Sequence, residues 1–252
     1  MGRHLTILTG ASRGMGAAIA DRLLAPGQQL LCLSRHVNGN LTSNAQGAGA
    51  VCEQWPVDLS APAGVATRLQ LWLEGLDGEA FTTATLINNA AALTRIGPID
   101  ACSDAEMSAA LRLGLEAPML LCAAFLRATR KWPAAKRVLN ISSGLGRRAM
   151  AAQAPYCAVK AGLDHFSRVL ALDEQLHANG ARVVSLAPGV IDTDMQVQLR
   201  AADATAFPDK ANFVGLKENG QLTSATDAAA RVLAYLNRAD FGTNPVADVR
   251  DT

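Results

Sequence analysis

Short, almost unbroken apolar runs alternate along the chain with longer stretches in which apolar positions recur every three or four residues. The short runs, 5–9, 29–34, 50–55, 84–88, 137–142 and 182–187, have the length and content of strands. The longer ones, 16–25, 62–72, 104–130, 154–178 and 224–237, carry the helical period, with Ser103 and Thr223 near two of the helix starts. Strands apolar on both faces and joined by helices make a parallel sheet covered on both sides, because each crossover lays a helix over one face. The pattern predicts an α/β protein, a doubly wound Rossmann-type domain with about seven parallel strands. Residues 38–44 have no helical period, so the crossover helix between the second and third strands is read as short or replaced by loop.

Composition narrows the picture. No linker-like stretch divides the 252 residues, which predicts one domain over 1–252. Half the residues are apolar and 18% are charged, enough for a deep core and against disorder. A net charge of +1 leaves no basic surplus for a phosphate backbone, so no nucleic-acid partner is expected. The longest apolar run, 117–126, is too short to cross a bilayer and the first residues do not read as a signal peptide. A cytoplasmic protein with no membrane partner is the expectation. Cys32, Cys52, Cys102, Cys122 and Cys157 are scattered and the four histidines dispersed, so reduced thiols and no metal site are expected.

Candidate chemistry begins at the turn after the first strand, Thr9-Gly10-Ala11-Ser12-Arg13-Gly14-Met15-Gly16. Gly10, Gly14 and Gly16 suit a tight turn, a close backbone approach and a strand–helix contact, and the following helix aims free N–H groups at an anion. A dinucleotide pyrophosphate is the ligand such a turn fits. At the end of the second strand, where a carboxylate would accept bonds from the adenosine ribose hydroxyls, stands Arg35. With Arg13 it can pair with a 2′-phosphate, which favours NADP(H) over NAD(H).

Tyr156 and Lys160 lie four residues apart in a predicted helix and share a face. An ammonium about 5 Å from a phenol, at an effective dielectric constant of about 20, favours the phenolate by about 3 kcal/mol. That is about two pKa units, so the phenol is expected below its ordinary value near 10. Ser143 stands thirteen residues before Tyr156, directly after the fifth predicted strand. Cys157 points about 100° away around the helix and is read as packing.

These residues, with Asp58, Asn88-Asn89-Ala90 and Pro188-Gly189, resemble the ordered motifs of short-chain dehydrogenases/reductases over most of the chain. The resemblance implies hydride transfer between a nicotinamide dinucleotide and a carbonyl or alcohol, with Ser143, Tyr156 and Lys160 catalytic and Lys160 also on the nicotinamide ribose. It implies that Asp58 and Leu59 contact the adenine and that Asn88 and Ala90 line the adenosine side. It also implies that Pro188, Gly189, Ile191 and Thr193 meet the nicotinamide. The family's usual asparagine in the fourth helix, part of a proton relay, is matched here by Gly114. A water in the vacated volume or Glu116 is the alternative relay. The family also implies a homodimer or homotetramer.

Residues 189–195, with Ala117, Pro118 and Met119, are similar to the sepiapterin reductase/benzil reductase branch, which suggests a ketone or dicarbonyl substrate. Residues 190–222 read as a lid over it. Leu145, Met150, Met195, Phe207 and Phe213 are candidates for its apolar wall, and Arg147 and Arg148 for contact with an anionic substrate. Two rivals stand. A 3-oxoacyl-thioester reductase would need an acidic carrier to land on basic residues such as Arg127, Arg130, Lys131, Lys136 and Arg137; the other is a catalytically silent NADP(H)-binding sensor or scaffold.

Overall fold

A computed structural model describes residues 2–251. Strands β1 (Arg3–Thr9), β2 (Gln28–Ser34), β3 (Val51–Pro56), β4 (Phe81–Asn88), β5 (Ala135–Ile141), β6 (Arg182–Ala187) and β7 (Val246–Asp248) form one sheet in the order β3-β2-β1-β4-β5-β6-β7. All neighbours pair in parallel, with Leu8 of β1 opposite Cys32 of β2 and Ile87 of β4. Side chains alternate across the sheet. Leu5, Ile7, Leu31 and Leu33 join one core beneath α3 (Pro62–Glu74) and α5 (Ala117–Thr129). Leu8, Leu30 and Cys32 join the other, beneath α1 (Gly14–Leu23) and α9 (Ala225–Leu236). Strand order reverses between β1 and β4, the crevice where such folds bind ligands.

The crossover helix from β2 to β3 is short, the seven-residue α2 (Leu41–Gly47). α4 (Asp104–Leu111) starts with a capping box between Ser103 and Glu106. For α9 the cap is Ser224, whose hydroxyl accepts from the Asp227 amide, and not Thr223, which bridges to Ile191. The predicted helix 104–130 is continuous but contains a five-residue π-turn, Arg112–Glu116, between α4 and α5. The joined helix Asp104–Thr129 is long and apolar enough to span a membrane by composition, which the shorter run 117–126 is not. Leu121 and Phe125 bury the α5 half in the first core, whereas α4 has no buried residue.

Beyond β6, residues 190–222 contain α7 (Asp194–Ala201) and α8 (Lys210–Glu218). The 22-residue α6 (Ala154–Gln175) runs beside the sheet and carries two of the candidate catalytic groups.

Candidate active site

Parallel pairing puts all strand ends that carry candidate residues on one edge of the sheet. After β1, Gly10 and Gly14 adopt positive φ, +72° and +57°, which glycine alone takes without strain. A Cβ on Gly16 would lie 2.0 Å from the Gly10 carbonyl oxygen, and one on Gly10 would lie 3.0 Å from the Ala90 Cα. Three residues assigned no role from the sequence hold this turn. The Thr9 hydroxyl accepts from the Asn89 and Ala90 amides at 2.9 Å, and Asn89 Nδ2 donates to the Thr9 and Gly10 carbonyls. The Ser34 hydroxyl accepts from the Ala11 amide at 2.8 Å. Each is a short polar residue at a strand end beside the crevice, a signal readable in the sequence.

Helix α1 begins at Gly14 with no side chain capping its first turn, so its leading N–H groups face the crevice without a side-chain acceptor. That fits a bound pyrophosphate. Ser12 is half-buried in the turn, and the Met15 side chain is core, leaving its backbone for a ligand. Arg35 is exposed directly after β2. Asp58 is exposed after β3, its carboxylate accepting from the Ser60 amide and hydroxyl, bonds that hold it below the usual carboxylate range, with Arg35 adding to the effect. The Leu59 side chain is core.

Two candidate contacts are placed differently from the sequence expectation. Arg13 reaches across the crevice mouth to Asp194 of α7 at 2.8 Å, so it is engaged by a carboxylate instead of waiting for a phosphate. Asn88 is buried, and its Nδ2 donates to Asn140 Oδ1 at 2.8 Å, while Asn140 Nδ2 donates to the Ser167 hydroxyl. Its side chain ties β4, β5 and α6 together beneath the crevice, and only its backbone neighbours line it. From β6, Pro188 is buried, Gly189 turns with φ +85° and Ile191 makes its bridge. The Thr193 methyl lies 3.8 Å from where a Gly14 Cβ would sit, which brings this segment against the glycine turn.

Ser143 follows β5 in extended conformation, its hydroxyl accepting from the Leu145 amide at 3.2 Å. Across from it, Tyr156 is half-buried and Lys160 is 3% exposed, one turn apart on α6. Lys160 Nζ lies 5.6 Å from the Tyr156 ring centre and donates to the Ile141 carbonyl at 2.8 Å. The electrostatics differ from the expectation. Burial raises the Tyr156 phenol, offset only in part by the Ser143 hydroxyl. Burial also pulls the Lys160 ammonium down to about 8, with Asp164 acting in the opposite direction. In a poorly hydrated site each group loses more by giving up water than it gains from the other. The phenol keeps its proton at neutral pH.

Gly114 packs against α6 so closely that a Cβ would meet Val159 Cγ1 at 2.4 Å. The volume that a missing asparagine side chain would vacate is closed by Val159. Glu116 is exposed, facing an outer groove with Leu111 and Met119, and takes no part in a relay. Arg147 is no substrate contact either: it pairs with buried Asp164 at 3.1 Å and donates to the Ala247 carbonyl. Arg148 is exposed. Phe207 is fully buried against Phe213, packing for α7 and α8 and not pocket wall, whereas Leu145, Met150 and Met195 are half-buried near the strand ends. The basic cluster is partly spent: Arg130 binds Glu174, Lys136 is buried on the Trp132 and Ala134 carbonyls, and Arg137 bonds Asn237. Lys136 and Arg137 also sit at the start of β5, the sheet edge opposite Ser143.

Residues 4–204 match the family model described as short chain dehydrogenase. A benzil reductase ((S)-benzoin forming) of Bacillus cereus is 32% identical over 235 residues, covering 93% of this chain and 94% of its own. A sepiapterin reductase of Meriones unguiculatus is 33% identical over 262 residues, covering 100% and 98%. The crystal structure of the KRED1-Pglu enzyme superposes with a TM-score of 0.81 at 27% identity, covering 97% of this chain and 99% of that one. The fold binds a nicotinamide cofactor, and its members are commonly oligomers acting on small molecules. A glycine turn at the β1/β4 crevice and a Tyr/Lys pair beside a serine agree with these matches: the chain is an oxidoreductase of the short-chain dehydrogenase/reductase family.

Proposed function

We propose that the chain is an NADPH-dependent carbonyl reductase that converts a ketone or vicinal dicarbonyl to an alcohol. The observation that carries this reading is the Tyr156–Lys160 stripe of α6 beside Ser143, with a phenol that burial keeps protonated. Reduction requires a proton donor at the carbonyl oxygen, and a protonated phenol is that donor.

Gly10, Ser12, Gly14, Met15 and Gly16 would hold the pyrophosphate through backbone N–H groups, and Arg35 the 2′-phosphate. Asp58, Leu59 and Ala90 would border the adenosine, with Pro188, Gly189, Ile191, Thr193 and Lys160 around the nicotinamide. When bound, the reduced nicotinamide supplies hydride. The chain's own groups do the rest. Ser143 donates a hydrogen bond to the substrate oxygen, Tyr156 Oη gives that oxygen its proton, and Lys160 stabilises the phenolate left behind. Residues 190–222 form the substrate cover within one domain.

The dicarbonyl class is favoured by the likeness to benzil and sepiapterin reductases. A carrier-bound thioester is disfavoured because its basic landing residues are spent or lie at the far edge. Leu111 and Met119 beside the π-turn, Leu172 on α6 and Leu176 at its C-cap are exposed apolar side chains, and we assign the homo-oligomer contact to these helices.

The test is turnover of 1-phenyl-1,2-propanedione against an acetoacetyl thioester, with NADPH, by the wild type and Tyr156→Phe. The dione is expected to be the better substrate, and the variant to lose about 10²- to 10⁴-fold in rate while still binding NADPH. Preference for the thioester refutes the substrate class. Undiminished turnover by Tyr156→Phe refutes the mechanism, and no turnover by the wild type on a carbonyl panel favours a silent binder.

A further inference from the structure

Asp164 sits one turn beyond Lys160 on α6 and is 1% exposed. Its Oδ1 accepts from the Ser185 hydroxyl of β6 at 2.7 Å, and its Oδ2 pairs with Arg147 Nε at 3.1 Å. Arg147 ends the short turn that begins at Ser143, and its Nη2 donates to the Ala247 carbonyl of β7. Between them, a Cβ on Gly146 would lie 2.8 Å from Asp164 Oδ2 and 2.9 Å from the Lys160 carbonyl oxygen. One carboxylate thus joins the serine turn, the Tyr/Lys helix and two strands, at a point where nothing larger than glycine fits.

We propose that Asp164 is a positioning residue of the reductase: it clamps the Ser143 turn onto α6 through Arg147 and sets a buried negative charge one helical turn from Lys160. The proposal rests on the reading of Tyr156 and Lys160 above. Around Lys160 stand the protonated Tyr156 phenol and the Asp164 carboxylate on its own helix, with Arg147 reaching from the turn to Asp164. Asp248, itself bound to Arg250, lies on the far side of Arg147. Arg147 therefore offsets Asp164. Removing one charge should move Lys160 one way, and removing the other should move it the opposite way.

That opposition separates the proposal from a merely structural role. Burial lowers the folded-state Lys160 below its unfolded value of 10.5, so its charged form opposes folding below about 8. The penalty is relieved as pH rises from about 8 to about 10.5, so stability climbs across that window. The experiment measures melting temperature of the dinucleotide-free chain from pH 7 to 11, each protein compared with the same protein carrying Lys160→Met. It is joined by the alkaline limb of the kcat/KM profile for carbonyl reduction with NADPH.

Asp164→Asn keeps a hydrogen-bonding group and loses the charge, and is expected to shift both onsets down by about one pH unit. Arg147→Gln is expected to shift both up by a similar amount. If Asp164→Asn does not fold, the Arg147→Gln shift decides alone. Shifts of the same sign in both variants, or none, overturn the role of Asp164 while an inactive Tyr156→Phe leaves the Tyr/Lys reading standing. An active Tyr156→Phe removes that reading and this one with it.

Discussion

On the β5–α6 side of the cleft the polar groups are tied into the interior, whereas on the β2–β3 side the charged ones stand in solvent. Lys160 is bound to the Ile141 carbonyl, Asn88 to Asn140, Asn140 to Ser167, and Asp164 to Ser185 and Arg147, contacts between residues 17 to 52 positions apart. Opposite them, Arg35 and Asp58 are exposed, and across the cleft mouth the Arg13–Asp194 pair leaves its side chains 69% and 66% accessible. The first arrangement fixes geometry, because moving any member leaves a buried polar group unpaired. The second sets preference, because an exposed charge changes at little cost to the fold. Substitutions on the interior side should alter folding or rate, and those on the solvent side should alter which dinucleotide is used.

The strongest way to sharpen this contrast is Arg35→Asp. If Arg35 binds the 2′-phosphate, losing a charge-assisted bond worth about 1.5–3 kcal/mol weakens NADPH binding by about 10- to 100-fold. NADH use stays level or improves, since the new carboxylate can accept from ribose hydroxyls. Melting temperature should hardly move. Binding titrations with both dinucleotides decide it: an unchanged ratio removes Arg35 from cofactor choice.

The same division explains what was readable in the sequence. β1, β2, β4, β5 and β6 announce themselves because burial on both faces leaves continuous apolar runs, and the Tyr156/Lys160/Ser143 spacing survives folding because α6 and β5 are regular. β7 has three residues and no period to detect. α7 and α8, of eight and nine residues, have no side-chain cap and lie in a polar-rich segment, so they read as irregular lid. The partners of Asn88 and Arg147 are not legible in the sequence for another reason: each is brought near only by the sheet. The direction of the Tyr156 shift was misjudged because helical spacing gives the distance between charges but not the loss of water around them.

A smaller effect, on the interior side, is expected from Gly114→Ala. Alanine gains about 1 kcal/mol in helix propensity, but its methyl meets the stiff, β-branched Val159 at 2.4 Å. Overpacking costs about 1–3 kcal/mol, so the net change is a loss of up to about 2 kcal/mol, seen as a lower urea midpoint. Adding Val159→Ala should remove the clash, and the coupling between the two changes should be favourable by more than about 0.5 kcal/mol. A Gly114→Ala protein more stable than wild type would mean that the π-turn yields, and that its contact with α6 is not tight.

The smallest effect belongs to the ion pair at the cleft mouth. Arg13 cannot bind a phosphate fully while it pairs with Asp194, so Asp194→Asn should release it towards the cofactor. An exposed pair contributes about 0.2–1 kcal/mol, which limits the gain in NADPH affinity to about 1.4- to 5-fold, with no change for NADH. Because both partners are solvated, the gain should shrink as salt rises from 0.05 M to 0.5 M and the Debye length falls below about 5 Å. Fluorescence titration at both salts reads this directly. Equal affinity for NADPH in the variant and the wild type at low salt would leave Arg13 as a fastener of α7 alone, and Arg35 as the sole phosphate contact on the solvent side.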